Sequence, residues 1–169
     1  MLMTSELLSR ITLPADSPLS VEVVTRAVLD LLQLHTACES TYLTRIDAKT
    51  GFCTVAFSRN TKHLHIPEGT TVLWGETLCK KAMEDPGFNK HVTEVCDTVP
   101  AAKALGIKTY AASPIYLGNG ELYGTLCAAS ADQFPMQEAG RNALALYAKV
   151  IGQHVEQQRQ NSKAVPPAA

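Results

Sequence analysis

The chain of 169 residues lacks any run of the roughly 18 apolar residues that a membrane-spanning helix needs. It also lacks a secretory signal, because Glu6 and Arg10 interrupt the N-terminal stretch and no long apolar core follows a basic start. The formal net charge is −1, so the basic excess typical of nucleic-acid-binding proteins is missing. We therefore expect a cytoplasmic protein with neither a membrane nor a nucleic acid as its partner.

Paired cysteines and common catalytic motifs are also missing. The five cysteines are scattered and none forms a C-x-x-C motif, which indicates reduced thiols and not a disulfide framework (Cys38, Cys53, Cys79, Cys96 and Cys127). No G-x-x-x-x-G-K-[ST], H-E-x-x-H or G-x-S-x-G motif occurs. His63 and His65 have no third metal ligand nearby in sequence, so an exposed polar loop is favoured there and no metal site is predicted.

The composition of the chain is that of one folded domain. Hydrophobic residues make up 46% of the chain, and its length suffices for a sizeable core. Residues 1–16 show weak periodicity and are predicted to form a loosely docked arm. The segment 161–169 ends in "NSKAVPPAA" and is predicted to be a disordered tail. We assign a single domain to residues 17–160.

The order of predicted elements is a helix, two strands, two short helices, a hairpin and a long helix. Ser20 is a suitable N-cap for the first helix, and Thr98 and Gly106 are predicted to bound the second short one. The buried stripe of the long helix is expected to run from Met136 to Val155. Strands that pair by hairpins form an antiparallel sheet, so the pattern predicts an α+β fold.

The stretch "YLGNGELYGTLCAAS" predicts the hairpin turn and its register. Asn119-Gly120 favours a two-residue type I′ turn, in which both residues have positive φ. This turn places on one face the pairs Tyr116 and Tyr123, Pro114 and Thr125, Ala112 and Cys127, and Tyr110 and Ala129. The mixture of small, aromatic and hydroxyl side chains is consistent with a ligand pocket, or with close packing of the short helices.

The segment "LGIKTYAASPIYLGNGELYGTLCAAS" resembles the C-terminal half of a GAF domain, as found before bacterial diguanylate cyclase modules. "ESTYLTRID" and "LWGETLCKKAM" are similar to the first strand and middle helix of that family. The resemblance implies a central antiparallel sheet with terminal helices on one face and a pocket, covered by loops and short helices, on the other. The ligand-binding candidates it implies are Tyr42, Thr44, Trp74, Thr77, Ala101, Tyr110, Ala112, Cys127 and Ala129.

The resemblance implies a small-molecule-binding sensory or regulatory domain in bacterial signalling. No cofactor is indicated, because the Cys-His dipeptide of bilin-binding members and the signature of cyclic-nucleotide-binding members are both missing. Two alternatives stay open. One is a thiol-dependent reductase of free methionine sulfoxide, for which Cys79, Cys96 and Cys127 are the candidates, although buried packing is favoured at each cysteine. The other is a ligand-free dimerisation scaffold.

We expect the terminal helices to transmit the signal of the domain. In related GAF domains such helices pair across a homodimer, and we expect the same here. The alternative is that the apolar stripes of both helices are buried against the sheet of their own domain. The sequence ends shortly after the long helix, so we expect the output to act through a separate signalling effector protein.

Overall fold

Five antiparallel strands form one sheet, in the order β3-β2-β1-β5-β4, in the computed structural model, which describes residues 19–164. The strands are β1 (Ser40–Ile46), β2 (Phe52–Asn60), β3 (Thr71–Leu73), β4 (Thr109–Tyr116) and β5 (Leu122–Ser130). The helices are α1 (Val21–Thr36), α2 (Leu78–Glu84), α3 (Val92–Thr98), α4 (Pro100–Leu105) and α5 (Glu138–Ala164). The predicted α+β fold is confirmed. The predicted arm, residues 1–16, lies outside the described residues.

The two terminal helices cover one face of the sheet. Ser20 caps α1 as predicted, because its side chain accepts a hydrogen bond from the backbone N–H of Val23. Between α1, α5 and the sheet lies the helix-side core, whose most buried members include Leu29, Leu32, Leu43, Ile115, Leu126, Leu144 and Ile151. None of the described helices has a stretch long and apolar enough to cross a membrane.

The short helices and the loop at residues 61–70 cover the opposite face. Beneath them lies the cavity-side core, which includes Tyr42, Leu78, Cys79, Phe88, Tyr110, Cys127 and Ala129. Short 3-10 turns at Trp74–Glu76 and Phe88–Lys90 precede α2 and α3. The strand β3 and the helix α3 were not predicted, because three residues and seven residues carry too little periodicity to stand out. Thr98 does not cap α4; its hydroxyl donates to the carbonyl of Val95 at the end of α3.

The hairpin turn has three residues and not two. Leu117 pairs with Glu121, and the N–H of Gly120 donates to the carbonyl of Leu117. Gly120 has a φ of 86°, but Asn119 does not have positive φ, so the predicted type I′ turn is wrong. A bulge at Tyr123 then restores the predicted register, and Pro114, Ala112 and Tyr110 pair with Thr125, Cys127 and Ala129 as expected.

The bulge also changes the face on which one residue lies. Tyr116 pairs with Leu122 and not with Tyr123. Tyr123 belongs to the helix-side core, where its ring packs against the guanidinium groups of Arg45 and Arg159. The predicted facing of Tyr116 and Tyr123 is therefore wrong.

The long helix is rotated relative to the stripe that we predicted. Its buried residues are Gly140, Leu144, Ala148, Ile151, Gly152 and Val155, whereas Leu146 and Val150 are 60% and 42% exposed. The helix packs through its glycines, which a hydrophobic pattern does not reveal. At Gly152 it approaches the sheet so closely that a methyl group there would lie 2.7 Å from the carbonyl oxygen of Tyr116. Glycine allows this close approach but adds nothing to a hydrophobic pattern. The helix extends to Ala164, so the first four residues of the predicted disordered tail, 161–164, are helical, and residues 165–169 lie outside the described residues.

Candidate functional site

A cavity of about 530 Å³ lies over one end of the sheet, on the face opposite the terminal helices. Its floor comes from β1, β2 and β3, and its sides come from the loop at residues 61–70, the start of α2, and α4. The volume falls within the range of about 300–1,000 Å³ that small-molecule sites occupy. Most of its lining is apolar, with Val55, Ile66, Val72, Leu78, Val99, Leu105 and Ile107 among its members.

Two side chains hold the cavity loop against the sheet. The nearly buried carboxylate of Glu39 accepts hydrogen bonds from the N–H groups of His63 and Leu64, at 3.0 and 3.1 Å. The amide oxygen of Asn60 accepts one from the N–H of Ile66, at 3.0 Å. These contacts fix the loop at Ile66, a lining residue, and at the two residues His63 and Leu64 before it, so they hold this side of the cavity against the sheet.

Four of the nine predicted site residues line this cavity. Tyr42 and Thr44 project from β1, Thr77 is the N-cap of α2, and Ala101 lies in the first turn of α4. The structure thus brings together residues far apart in sequence. Their role in binding a ligand stays a prediction.

The four hairpin candidates lie deeper than we predicted. Tyr110, Cys127 and Ala129 are at most 1% exposed in the cavity-side core, and Ala112 packs partly buried against that core. They do not line the cavity, because α2 and the ring of Phe88 cover this part of the sheet; the rings of Phe88 and Tyr110 meet edge to face at 5.9 Å. Trp74 also packs against the core, and the lining comes instead from the next residues, Gly75 and Glu76.

Sequence reasoning missed much of the lining, because it is contributed by segments whose local pattern is weak. Val72 lies in the three-residue strand β3, and Ile66, Pro67 and Thr70 lie in a loop that we expected to be merely polar. One signal could have been used. Leu64 and Ile66 alternate with His63 and His65, and the structure buries the first two and exposes the histidines.

A buried group of thiols and hydroxyls lies under the cavity. The Sγ atoms of Cys79 and Cys127 are 3.5 Å apart. The hydroxyl of Tyr110 donates to the Sγ atom of Cys79 at 2.8 Å and lies 3.3 Å from that of Cys127. The Thr125 hydroxyl lies 3.3 Å from the Cys127 sulfur and 2.6 Å from the hydroxyl of Thr44. The group therefore reaches the cavity at two of its members, Thr44 and Cys79.

The two thiols of this group differ in their acidity. A hydrogen bond from Cys127 lowers the pKa of Cys79 to about 7, against burial and with help from Thr125 and Tyr110. Burial, followed by the interaction with Cys79, raises the pKa of Cys127 well above its ordinary value. Cys79 is thus the more acidic thiol of the pair.

The remaining cysteines carry no such arrangement. Burial raises the pKa of Cys38, Cys53 and Cys96 to about 11 in each case. All five cysteines are buried as free thiols. Among residues 19–162, no group of three or more His, Cys, Asp and Glu side chains is arranged to hold a metal ion.

The sheet, its helical face and the covered cavity define an α+β domain with a cavity of the size of a small-molecule site. The family model of the GAF domain matches residues 20–155. The chain therefore belongs to the GAF domain family, whose members are small-molecule-binding sensory domains of bacterial signalling.

Relatives and solved structures agree with this assignment. The chain is 35% identical over 157 residues to the diguanylate cyclase DgcP of Escherichia coli (strain K12). The aligned region covers 92% of this chain but only 46% of that protein. It is similar in fold to a far-red cyanobacteriochrome photoreceptor, with a TM-score of 0.66, 14% identity, and coverage of 92% of this chain and 97% of the other. The GAF domain of a sensor histidine kinase from Bacillus halodurans gives a TM-score of 0.63, 13% identity, and coverage of 85% and 98%.

Proposed function

We propose that this domain binds a small, mainly apolar organic molecule in its cavity and reports the binding state to a signalling effector. The observation that carries the proposal is the cavity itself, about 530 Å³ in volume and largely apolar, on the face of the GAF sheet opposite the terminal helices. A cavity of this size and lining is typical of a ligand site.

The lining also limits the chemistry of the ligand. Thr44 and Thr77 offer hydroxyl groups, and Tyr42 offers an aromatic face. The charged lining residues are of opposite sign, Glu76 and Lys81, so no excess of one charge selects an anion or a cation. We therefore favour an uncharged or zwitterionic molecule with one or two hydrogen-bonding groups over a phosphate-rich one.

The sheet provides the route from the cavity to the terminal helices. Tyr42 and Thr44 face the cavity, while Leu43 between them is completely buried in the helix-side core. A ligand that shifts β1 would therefore also change the packing of α1 and α5. Such a shift requires that the ligand binds one arrangement of the domain more tightly than the other.

Helix α5 supplies a surface through which the output can act. Its exposed residues Ala139, Leu146 and Val150, together with partly exposed Ala143, follow one another at intervals of four, three and four residues. This is the spacing of a helix–helix seam. Ala143 also packs against the helix-side core, but Ala139, Leu146 and Val150 stay exposed, and we propose that two copies of the domain pair through this seam as a homodimer.

The effector is proposed from the relative and not from the site. DgcP of Escherichia coli is named a diguanylate cyclase, and this chain matches less than half of its length. We propose that the domain acts in the cytoplasm on an effector of this kind, whether linked or separate.

A retained ligand is the direct test of the proposal. Native mass spectrometry of freshly purified protein should show a bound small molecule that is lost on denaturation. Ala101→Trp should fill the mouth of the cavity and reduce the bound fraction at least tenfold. Ala104→Trp is the matched control, because Ala104 is exposed on the same helix and does not line the cavity. Protein that remains empty under all growth conditions would instead support the ligand-free scaffold.

The thiol-dependent reductase remains a second candidate because of one observation, the contact between Cys79 and Cys127. Alanine substitutions at Cys79, Cys96 and Cys127 separate the two functions. A sensor keeps its ligand in these variants, whereas a reductase loses turnover of free methionine sulfoxide.

A further inference from the structure

The cysteine pair is arranged so that its two members have different access to the cavity. Cys79, the second residue of α2, lines the cavity directly. Cys127 lies behind it on β5, is completely buried and does not line the cavity. Their Sγ atoms are 3.5 Å apart, and Tyr110 donates a hydrogen bond to the Cys79 sulfur. A small oxidant entering the cavity would therefore meet Cys79 first, with a second thiol already in contact.

We propose that Cys79 and Cys127 form a hydroperoxide-reactive pair, in which Cys79 is oxidised from the cavity and Cys127 then closes a disulfide with it. This site goes beyond the proposed ligand function and does not depend on which small molecule the cavity holds. The substrate class is a hydroperoxide small enough to enter the cavity, with hydrogen peroxide as the simplest member.

The reaction has two steps. The Cys79 thiolate attacks the terminal peroxide oxygen, so that an S–O bond forms and the O–O bond breaks. The leaving group, hydroxide from hydrogen peroxide or alkoxide from an organic hydroperoxide, takes up the proton that the Cys79 thiol had released. The Cys127 sulfur then attacks the Cys79 sulfur, so that an S–S bond forms and the S–O bond breaks. Water leaves with the Cys127 proton. Two thiols lose two electrons, one hydroperoxide is reduced, and an external thiol reductant restores the pair.

The other cavity thiol shows why a pair is needed. Cys53 also lines the cavity, but within residues 19–162 no second sulfur lies within hydrogen-bonding distance of it. Burial raises the pKa of Cys53, whereas the hydrogen bond from Cys127 lowers that of Cys79. Because the thiolate is the nucleophile, Cys79 should react and Cys53 should not.

Disulfide formation would also reshape the cavity. The sulfur atoms must close from 3.5 Å to about 2.0 Å. This approach draws the first turn of α2 toward β5, and Thr77, Leu78 and Lys81 of that segment line the cavity. The redox state of the pair would thus change the shape of the ligand site.

The test uses the full chain, treated with hydrogen peroxide after reduction and followed by intact mass and peptide mapping. Wild type should lose two hydrogen masses, with a Cys79–Cys127 disulfide that dithiothreitol reverses. Cys127→Ser should instead gain one oxygen at Cys79, trapped by dimedone. Cys79→Ser should react at least tenfold more slowly, and Cys53→Ser, the matched control, should behave as wild type. A disulfide between other cysteines, or equal rates for wild type and Cys79→Ser, would overturn the proposal.

Tyr110→Phe is a second variant that tests the pair without removing either thiol, in case the cysteine variants do not fold. It keeps both thiols but removes a hydrogen bond to the Cys79 sulfur, so oxidation at neutral pH should slow about tenfold. The rate should also reach half its maximum at a higher pH than in wild type, and a purely structural role would not move that midpoint. An unmoved midpoint would contradict the role of Tyr110. Free methionine sulfoxide serves as a rival oxidant, and faster disulfide formation with it than with peroxide would replace this proposal by the reductase.

Discussion

Gly124 of β5 lies so close to Thr44 of β1 that a methyl group on it would come within 1.8 Å of the Thr44 carbonyl oxygen. The two strands are neighbours in the middle of the sheet, and the adjacent Thr44 and Thr125 hydroxyls are 2.6 Å apart. The glycine in "LYGTLCAAS" therefore serves close packing of β1 against β5. It does not create space for a ligand.

Gly124→Ala should destabilise the domain by about 3 kcal/mol, because the methyl group meets backbone atoms that cannot move aside. Chemical denaturation followed by circular dichroism measures the change. Gly75→Ala is the control, since a methyl group there meets nothing within 4 Å, and it should change the stability by less than about 0.5 kcal/mol. Equal stability of wild type and Gly124→Ala would show that the strands separate more easily than the structure indicates.

The hairpin shows why the sequence predicted the faces of the sheet but not the turn. The Asn119-Gly120 dipeptide indicated a two-residue loop, and the structure has three residues, Gly118 to Gly120. An extra residue at Tyr123 on the other strand then compensates, so that every pair beyond it keeps the predicted register. Alternation along a strand is a strong signal, but a bulge depends on tertiary packing, here that of Tyr123 between two arginines.

Part of the site was predictable: four of the residues that the resemblance implied line the cavity, from β1, the N-cap of α2 and the first turn of α4. Tyr42 and Thr44 were assigned to the cavity from the resemblance of "ESTYLTRID" to the first strand of the family, and both line it. The Cys127 side chain was assigned to the correct face, but the sequence could not show that α2 lies over it. The contact between Cys79 and Cys127 joins residues 48 positions apart and depends on how a seven-residue helix docks, which no local pattern specifies.

Glu39 provides a prediction about pH. The residue is 4% exposed, and its carboxylate accepts hydrogen bonds from the N–H groups of Ala131, His63 and Leu64 and from the Ser130 hydroxyl. Burial raises the pKa of Glu39, but these hydrogen bonds outweigh burial and bring it below 4.5. Glu39→Gln should lose about 2 kcal/mol at neutral pH, as measured by urea denaturation.

The sign of the pH dependence follows from that lowered pKa. The contribution of the Glu39 carboxylate is fully present well above pH 4.5 and is lost as the pH falls through the folded-state pKa. The difference between wild type and Glu39→Gln should therefore shrink on acidification. Glu84→Gln is the control, because Glu84 is exposed and its ion pair is with Lys80 on its own helix. A difference that stays constant down to pH 3 would mean that folding does not lower the pKa of Glu39.

The exposed seam of α5 yields the last prediction. Leu146 is 60% exposed and Val150 is 42% exposed, and neither belongs to the helix-side core. If the seam joins two copies, Leu146→Glu places two buried charges in the interface and should convert a dimer to a monomer without lowering the stability of the folded domain. Light scattering after size exclusion measures the mass. Ala145→Glu adds the same charge to an exposed neighbouring position off the seam and should leave the dimer intact. A monomeric wild type at micromolar concentration would contradict the dimer, and the seam would then be free for the effector.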